Sequence, residues 1–202
     1  MGRPVFSRQK DKALTDDDGG DHSSTAQVYS ADRIVYLAGE VSEALVIQVI
    51  AGMISLASHD PRSPIRLVIS TYGGSVDEMF SLYDTIKYLP CPVHTVGMGK
   101  IMSAGVLLLA SGEKGSRIIG ENARIMIHAT SGESRGTFLQ VANECSEHVR
   151  QQKQMETLLL RESKMTQKQI DTIMKANHDI YVLPQEAVRL GLVDEIIGSN
   201  KK

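Results

Sequence analysis

The sequence has few cysteines, no excess of either charge and no long apolar segment, and each shortage excludes a class of protein. Its two cysteines, Cys91 and Cys145, lack the spacing of metal ligands and provide no disulfide framework. This cysteine usage is typical of a reducing compartment, so we expect a cytoplasmic protein. The formal net charge is −2. Without a field of one sign, neither a nucleic acid nor a membrane surface is an expected partner.

Targeting and cofactor-binding signals are also absent from the sequence. No apolar run is long enough to cross a bilayer, the N-terminus lacks the apolar core of a signal peptide, and the acidic residues 16–18 argue against a transit peptide. The pair Gly73-Gly74 precedes a predicted helix, but it lacks the GxGxxG and GK(S/T) patterns of phosphate-binding loops. The sequence therefore predicts neither a cofactor nor a metal ion.

The chain divides into a polar N-terminal stretch and a globular body. Residues 1–26 are polar and of mixed charge, and they cannot bury enough apolar surface to order themselves. We expect them to form a flexible arm or a removable leader. Residues 27–202 contain the apolar segments, and they are numerous enough for one domain with its own hydrophobic core.

Strand-like and helix-like segments alternate through the globular body. The predicted strands are 34–37, 65–69, 93–96, 117–119, 124–127 and 181–183, and the predicted helices are 42–58, 75–89, 106–110, 137–163, 166–175 and 184–191. This alternation is typical of an α/β fold with a largely parallel sheet. In such sheets ligands bind at the ends of strands, which is where Gly73-Gly74, Ser103 and His128 are expected to lie.

Ser103 lies where a predicted strand leads into the buried apolar helix 106–110. The first backbone N–H groups of a helix have no partner within it, and the helix dipole favours negative charge at that end. A serine at this corner can attack a carbonyl carbon while neighbouring N–H groups stabilise the oxyanion. The same position also suits a serine that only caps the helix, and on the heptapeptide 99–105 alone this capping role is the favoured interpretation.

A nucleophilic serine needs a base, and two further residues could complete a triad. His128 follows the predicted strand 124–127, and a histidine titrates near neutrality, so it can accept the serine's proton and return it. Asp179 lies just before strand 181–183, where its carboxylate could orient the imidazole. Asp171 is the competing acid. Because Asp171 falls inside the predicted helix 166–175, we favour Asp179.

Several stretches of the sequence together resemble one enzyme family. They are residues 69–75 with the Gly-Gly pair, 81–86, 98–105 around Ser103, 122–128 ending in His128, and the C-terminal block 186–194. These stretches are similar to the proteolytic subunit of the Clp protease (the ClpP family), whose members are self-compartmentalising serine peptidases. The resemblance covers residues 33–197, and the combination is far more specific than any single motif.

The resemblance implies a fold, a site and an assembly. The fold would be the ClpP/crotonase-like arrangement of repeated ββα units. Ser103 would be the nucleophile, His128 the base and Asp179 the orienting acid, with the backbone N–H groups of Gly74 and Ala104 forming the oxyanion hole. The enzyme would be a serine endopeptidase that cleaves peptides and unfolded proteins inside a chamber. Heptameric rings stacked as a tetradecamer would enclose that chamber. An ATP-dependent AAA+ unfoldase would deliver unfolded polypeptides into it.

The sequence also departs from the family pattern. Tyr72 stands where a proline is usual, Lys100-Ile101 where Gln-Ala is usual, and Asn177-His178 where an acidic residue and an arginine are usual. The family's axial-pore segment is not recognisable in residues 1–30, which leaves docking of an unfoldase open. Two alternatives therefore stay open: a non-catalytic structural subunit of a mixed Clp ring, and an acyl-CoA enzyme of the crotonase superfold.

Overall fold

A computed structural model describes residues 32–176 and 178–198, so the predicted N-terminal arm and Asn177 lie outside the described residues. The described part of the chain forms seven strands and six helices. The strands are β1 (Ile34–Ala38), β2 (Ile65–Thr71), β3 (Val93–Met102), β4 (Ile118–Gly120), β5 (Arg124–Ile127), β6 (Ile180–Val182) and β7 (Glu195–Ile197). The helices are α1 (Glu43–His59), α2 (Val76–Tyr88), α3 (Ala104–Ala110), α4 (Phe138–Glu162), α5 (Gln167–Lys175) and α6 (Pro184–Arg189).

The strands form one sheet, and most of its pairs are parallel. Strands pair in the order β1-β2-β3-β4-β7, and β5 pairs with both β3 and β6. Only the β5–β6 pair is antiparallel among the strand pairs of the described residues. The predicted α/β class with a largely parallel sheet is therefore confirmed. Strand β7 was not predicted, because its three residues carry no alternating pattern and it exists by pairing with β4.

Strand β3 is longer than the sequence predicts, and it pairs with two strands on the same side. Glycines interrupt it after Val96, which is why the prediction ended there. Its first half pairs with β4 at Val96 and Gly97, and the chain then turns at Gly99, whose φ is +67°. Beyond this turn, residues 100–102 pair with β5. The bend therefore brings the end of β3 beside the end of β5.

The hydrophobic core lies between the sheet and helices α1, α2 and α3. Helix α3 is buried at every position, which explains why its residues are apolar all round rather than on one face. The largest fully buried side chains include Tyr83, Leu37, Met53, Ile65, Leu67, Ile69, Met79, Leu82, Ile101, Leu107, Leu108 and Leu109. Each contributes about 1.5–3 kcal/mol through removal of apolar surface from water. No helix within residues 32–176 and 178–198 combines the length and apolar character needed to span a bilayer.

A buried ionic network attaches the end of α4 to the rest of the domain. Glu162 is buried, and its carboxylate accepts a hydrogen bond of 2.5 Å from the Tyr83 hydroxyl and forms an ion pair of 3.0 Å with Lys87. Arg117, also buried, donates to the Glu162 backbone carbonyl at 2.7 Å. Buried charges are tolerated because each has partners, so loss of one partner leaves a costly unpaired charge. The network thereby fixes α4, which also lines the site described below.

Arg117 also forms a bidentate pair with Asp194, at 2.6 Å from Nη2 to Oδ1 and 2.9 Å from Nε to Oδ2. Burial alone would raise the pKa of Asp194, but hydrogen bonds from Arg117 and its positive charge lower that pKa to about 2. A carboxylate whose pKa is lower in the folded state stabilises the fold above its unfolded pKa of about 3.9. That contribution is lost as the pH falls through about 2.

Asp194→Asn is therefore expected to lower the free energy of unfolding by about 2–3 kcal/mol at pH 7, because the Arg117 charge is left unpaired. Chemical denaturation from pH 7 down to pH 2 should show the wild type and the variant converging below pH 4. Glu133→Gln is the control, since Glu133 pairs with Arg135 on the exposed surface and should contribute little. A constant difference between wild type and Asp194→Asn down to pH 2 would contradict this assignment.

Candidate active site

Ser103 occupies the corner between β3 and α3 in a strained backbone conformation. Its φ is +52° and its ψ is −121°, a region that residues other than glycine rarely adopt. Its backbone N–H donates to the Met126 carbonyl at 2.9 Å, which ties the corner to β5. The hydroxyl makes no capping hydrogen bond to α3. The helix-capping interpretation of this hydroxyl is therefore wrong, and the strained corner instead turns the side chain towards β5.

His128 lies at the end of β5, next to the serine. Its Nε2 atom is 2.8 Å from the Ser103 Oγ, which is a hydrogen bond of normal length. The contact follows from the pairing of residues 100–102 with β5, because that pairing places the ends of both strands side by side. The structure thus brings together two residues that are 25 positions apart in the sequence. A neutral imidazole with its proton on Nδ1 can accept the serine's proton through Nε2.

Asp179 lies on the other side of the imidazole, just before β6. Its Oδ1 atom is 3.6 Å from the His128 Nδ1, which is longer than a hydrogen bond, and the side chain is 48% exposed. The antiparallel pairing of β6 with β5 sets this position, because Ile180 lies opposite Ile127. The competing acid, Asp171, has partners within α5 instead. Its carboxylate accepts from Gln167 at 2.7 Å and lies 3.9 Å from the Lys175 ammonium.

The Gly73-Gly74 turn packs directly against the serine. Both residues have positive φ, +106° and +150°. A Cβ atom on Gly73 would lie 2.6 Å from the Ser103 Cβ, and one on Gly74 would lie 2.4 Å from the Val41 carbonyl oxygen. Buried Thr71 shapes the turn, since its hydroxyl accepts from the Gly73 N–H at 3.0 Å. Only glycine therefore allows this turn to approach the serine so closely.

Gly74 and Ala104 line the same cleft as Ser103 and His128. Among the hydrogen bonds of the described residues, none uses the Gly74 N–H, and Ala104 begins α3, where an N–H has no partner within the helix. The cleft, here called the serine cleft, has a volume of about 240 Å³. Its walls are Tyr72, Gly74, Val76, Met79, Ser103, Ala104, Met126, His128, Thr130, Ser131 and Met155. Two unpaired donors beside a serine can stabilise an oxyanion.

Comparisons with known proteins identify the family. A family model described as Clp protease matches residues 18–200. The chain belongs to the Clp protease family. The ATP-dependent Clp protease proteolytic subunit 2 of Chlamydia trachomatis serovar D is 33% identical over 190 residues, and the match covers 92% of each chain. Subunit 1 of Chlamydia felis is 32% identical over 189 residues, again with 92% of each chain covered. The resemblance noted in the sequence is confirmed, and this Clp protease is a serine-type peptidase.

Two departures from the Clp protease pattern contact each other at the mouth of the serine cleft. Tyr72 replaces the usual proline, and the residue is 69% exposed. Lys100 replaces the usual glutamine, and its Nζ lies 4.8 Å from the centroid of the Tyr72 ring, which is a cation–π contact. The two substituted side chains therefore form a contact that a proline and a glutamine could not make as a cation–π pair. Sequence reasoning treated them separately because they lie 28 positions apart, Tyr72 just after β2 and Lys100 within β3.

The structure adds residues that the sequence analysis missed. Thr71 lies two residues before Gly73, and its buried hydroxyl could have been suspected from its place at the end of β2. Met155 of α4 gave no local signal, because only the packing of α4 brings it to the cleft. Within residues 32–176 and 178–198, no group of three or more His, Cys, Asp or Glu side chains is placed to hold a metal ion.

Gly73→Ala is expected to disable this Clp protease, because the new methyl group would displace Ser103 and a left-handed φ is unfavourable for alanine. Peptide hydrolysis should fall by at least about 100-fold, since small misplacements of a reacting group cost that much. Gly115→Ala is the matched control. Gly115 also has a positive φ, +90°, but a Cβ there meets no atom within 4 Å. Equal activity of the two variants would contradict a positioning role for Gly73.

Proposed function

We propose that this Clp protease is a serine endopeptidase in which Ser103 is the nucleophile, His128 the general base and Asp179 the orienting acid. The observation that carries this proposal is the 2.8 Å contact between Ser103 Oγ and His128 Nε2. It occurs at a strained corner beside two unpaired N–H groups. Backbone strain of this kind is retained in proteins mainly where function requires it.

The reaction follows from these positions. His128 Nε2 takes the hydroxyl proton as Ser103 Oγ attacks the peptide carbonyl carbon, and the N–H groups of Gly74 and Ala104 stabilise the oxyanion. The imidazolium then gives its proton to the leaving amine as the C–N bond breaks, which leaves an acyl-serine. A water molecule, deprotonated by the same imidazole, hydrolyses the acyl-serine and restores the free hydroxyl.

Asp179 acts on the imidazole rather than on the substrate. A carboxylate near Nδ1 favours the tautomer with the proton on Nδ1, which leaves Nε2 free to accept the serine's proton. The distance of 3.6 Å is longer than a hydrogen bond, and catalytic hydrogen bonds are often long in free enzymes and shorten when substrate binds. The partial exposure of Asp179 leaves room for this movement.

The proposal extends to the assembly. We expect the chain to form heptameric rings that stack as a tetradecamer and enclose a chamber, with an AAA+ unfoldase that delivers unfolded proteins in the cytoplasm. The printed names of the relatives describe proteolytic subunits of an ATP-dependent enzyme. The start of α4 also exposes Phe138 by 94% and Leu139 by 78%. Large exposed apolar side chains are typical of subunit contacts. Residues 27–202 would be the peptidase domain and residues 1–26 the arm.

Labelling with a fluorophosphonate tests the catalytic part of the proposal. The probe phosphonylates a serine only when a base activates it, and we expect intact mass and peptide mapping to place one adduct on Ser103. A non-catalytic ring subunit would remain unlabelled. An unlabelled protein that hydrolyses acyl-CoA thioesters would instead favour the crotonase-type alternative. Particle-mass measurement tests the assembly separately, since a monomer at all concentrations would contradict the ring.

A further inference from the structure

A second cleft adjoins the serine cleft. It has a volume of about 240 Å³ and lies between the start of α2, the loop after β5 and the middle of α4. The two clefts share four wall residues: Gly74, Val76, Thr130 and Ser131. The shared wall is fixed, because the Thr130 backbone N–H and hydroxyl both donate to the Gln152 Oε1, at 2.7 and 2.9 Å. A peptide held beside Gly74 would therefore pass both clefts.

The second cleft differs from the serine cleft in chemistry. The serine cleft presents three methionines, Met79, Met126 and Met155, which suit an apolar side chain. The second cleft instead contains the carboxylate of Asp77 and the imidazole of His148. The described residues that line it include neither lysine nor arginine, so no permanently charged cation of this lining neutralises the carboxylate.

Asp77 is held in place with one oxygen unused. Its Oδ1 accepts a hydrogen bond of 2.8 Å from the Gln151 Nε2, which joins α2 to α4 across the cleft. Among the hydrogen bonds of the described residues, none reaches Oδ2 of this carboxylate. A carboxylate oxygen with this freedom can accept a charge-assisted hydrogen bond from an ammonium or a guanidinium group. His148 packs against Gly132 and forms the opposite side of the opening.

We propose that the second cleft is a subsite for a basic side chain of the peptide substrate, with Asp77 as the residue that determines this specificity. The inference rests on the proposed peptidase function. In an extended peptide, side chains two residues apart project from the same face, about 7 Å from each other. A substrate with an apolar residue in the serine cleft would thus place the side chain two residues away in the second cleft. Lysine or arginine at that position is preferred.

Internally quenched peptides with a fixed methionine at the cleaved bond test this preference. Positions two residues from that methionine carry lysine, arginine or norleucine, the last being an uncharged side chain of similar length. For the wild type we expect kcat/KM to be about fivefold higher with lysine or arginine than with norleucine. Asp77→Asn should abolish this ratio, Asp77→Lys should reverse it, and 1 M NaCl should reduce it. No basic preference in the wild type would overturn the subsite.

Glu78→Gln is the matched control, because it removes the adjacent negative charge of the same helix turn, and Glu78 does not line the second cleft. It should leave the ratio unchanged. A second measurement does not depend on cleavage: fluorescence anisotropy of labelled lysine and norleucine peptides on Ser103→Ala protein. The subsite is supported if the lysine peptide binds more tightly than the norleucine peptide and if Asp77→Asn removes this difference. This result would hold even if the wild type cleaves neither peptide. Equal binding of the two peptides would overturn the subsite. If the wild type binds the lysine peptide more tightly but cleaves neither peptide, only the proposed peptidase function is overturned.

Discussion

Ser103→Ala is expected to reduce kcat for short fluorogenic peptides by about a million-fold, leaving only the rate due to binding and the oxyanion hole. The hydroxyl is the only side-chain group that the structure places at hydrogen-bond distance from His128 Nε2 among the described residues. Without it, the imidazole has no nucleophile to deprotonate. The measurement is single-turnover and steady-state hydrolysis at enzyme concentrations high enough to detect residual activity.

The fold should survive this substitution. Alanine differs from serine only by the hydroxyl, and that hydroxyl makes no capping hydrogen bond to α3. Ser42→Ala is the matched control, because Ser42 also precedes a helix without a side-chain capping bond, and it lies outside the serine cleft. Both variants should unfold at nearly the wild-type temperature, and only Ser103→Ala should lose activity. Near wild-type hydrolysis by Ser103→Ala would overturn the mechanism.

Asp179→Asn is expected to reduce kcat/KM by about two to four orders of magnitude, because an amide at this position no longer favours the imidazole tautomer that accepts a proton at Nε2. The carboxylate lies 3.6 Å from His128 Nδ1, so its influence on the ring is electrostatic in the free enzyme. A pH–rate profile should accompany the measurement. Loss of the carboxylate should shift the pH dependence of kcat/KM, because it changes the protonation of His128. If Asp179 had only a structural role, the substitution would leave this pH dependence unchanged.

Asp171→Asn is the matched control for Asp179→Asn, since it removes the same charge from the neighbouring helix. Asp171 contacts Gln167 and Lys175 on its own helix and lies away from the imidazole. It should therefore change kcat/KM less than about twofold, in line with the small contribution of an exposed helix pair. A large effect of Asp171→Asn together with a small effect of Asp179→Asn would reverse the assignment of the acid.

Local signals in the sequence predicted most of the helices and strands. Capping-box patterns at residues 75–78 and 166–169 predicted the starts of α2 and α5, where Ser75 accepts from the Glu78 N–H and Thr166 forms a complete capping box. A run rich in β-branched residues predicted β2, a short apolar-leaning run predicted β5, and the all-apolar run 106–110 predicted the buried helix α3. These features depend on residues close together in the chain, which is why the sequence alone could determine them. The pairing of Ser103 with His128 was also predicted, although it needed the family resemblance in addition to chemistry.

Tertiary structure decided the features that depend on distant parts of the chain. The extension of β3 past its glycines exists because β5 pairs with it, and that pairing sets the 2.8 Å contact between Ser103 and His128. The antiparallel pairing of β6 placed Asp179, rather than Asp171, beside the imidazole. The second cleft requires α2 and α4 to meet at Asp77 and Gln151. No local pattern specifies such contacts, because they arise from packing between elements far apart in sequence.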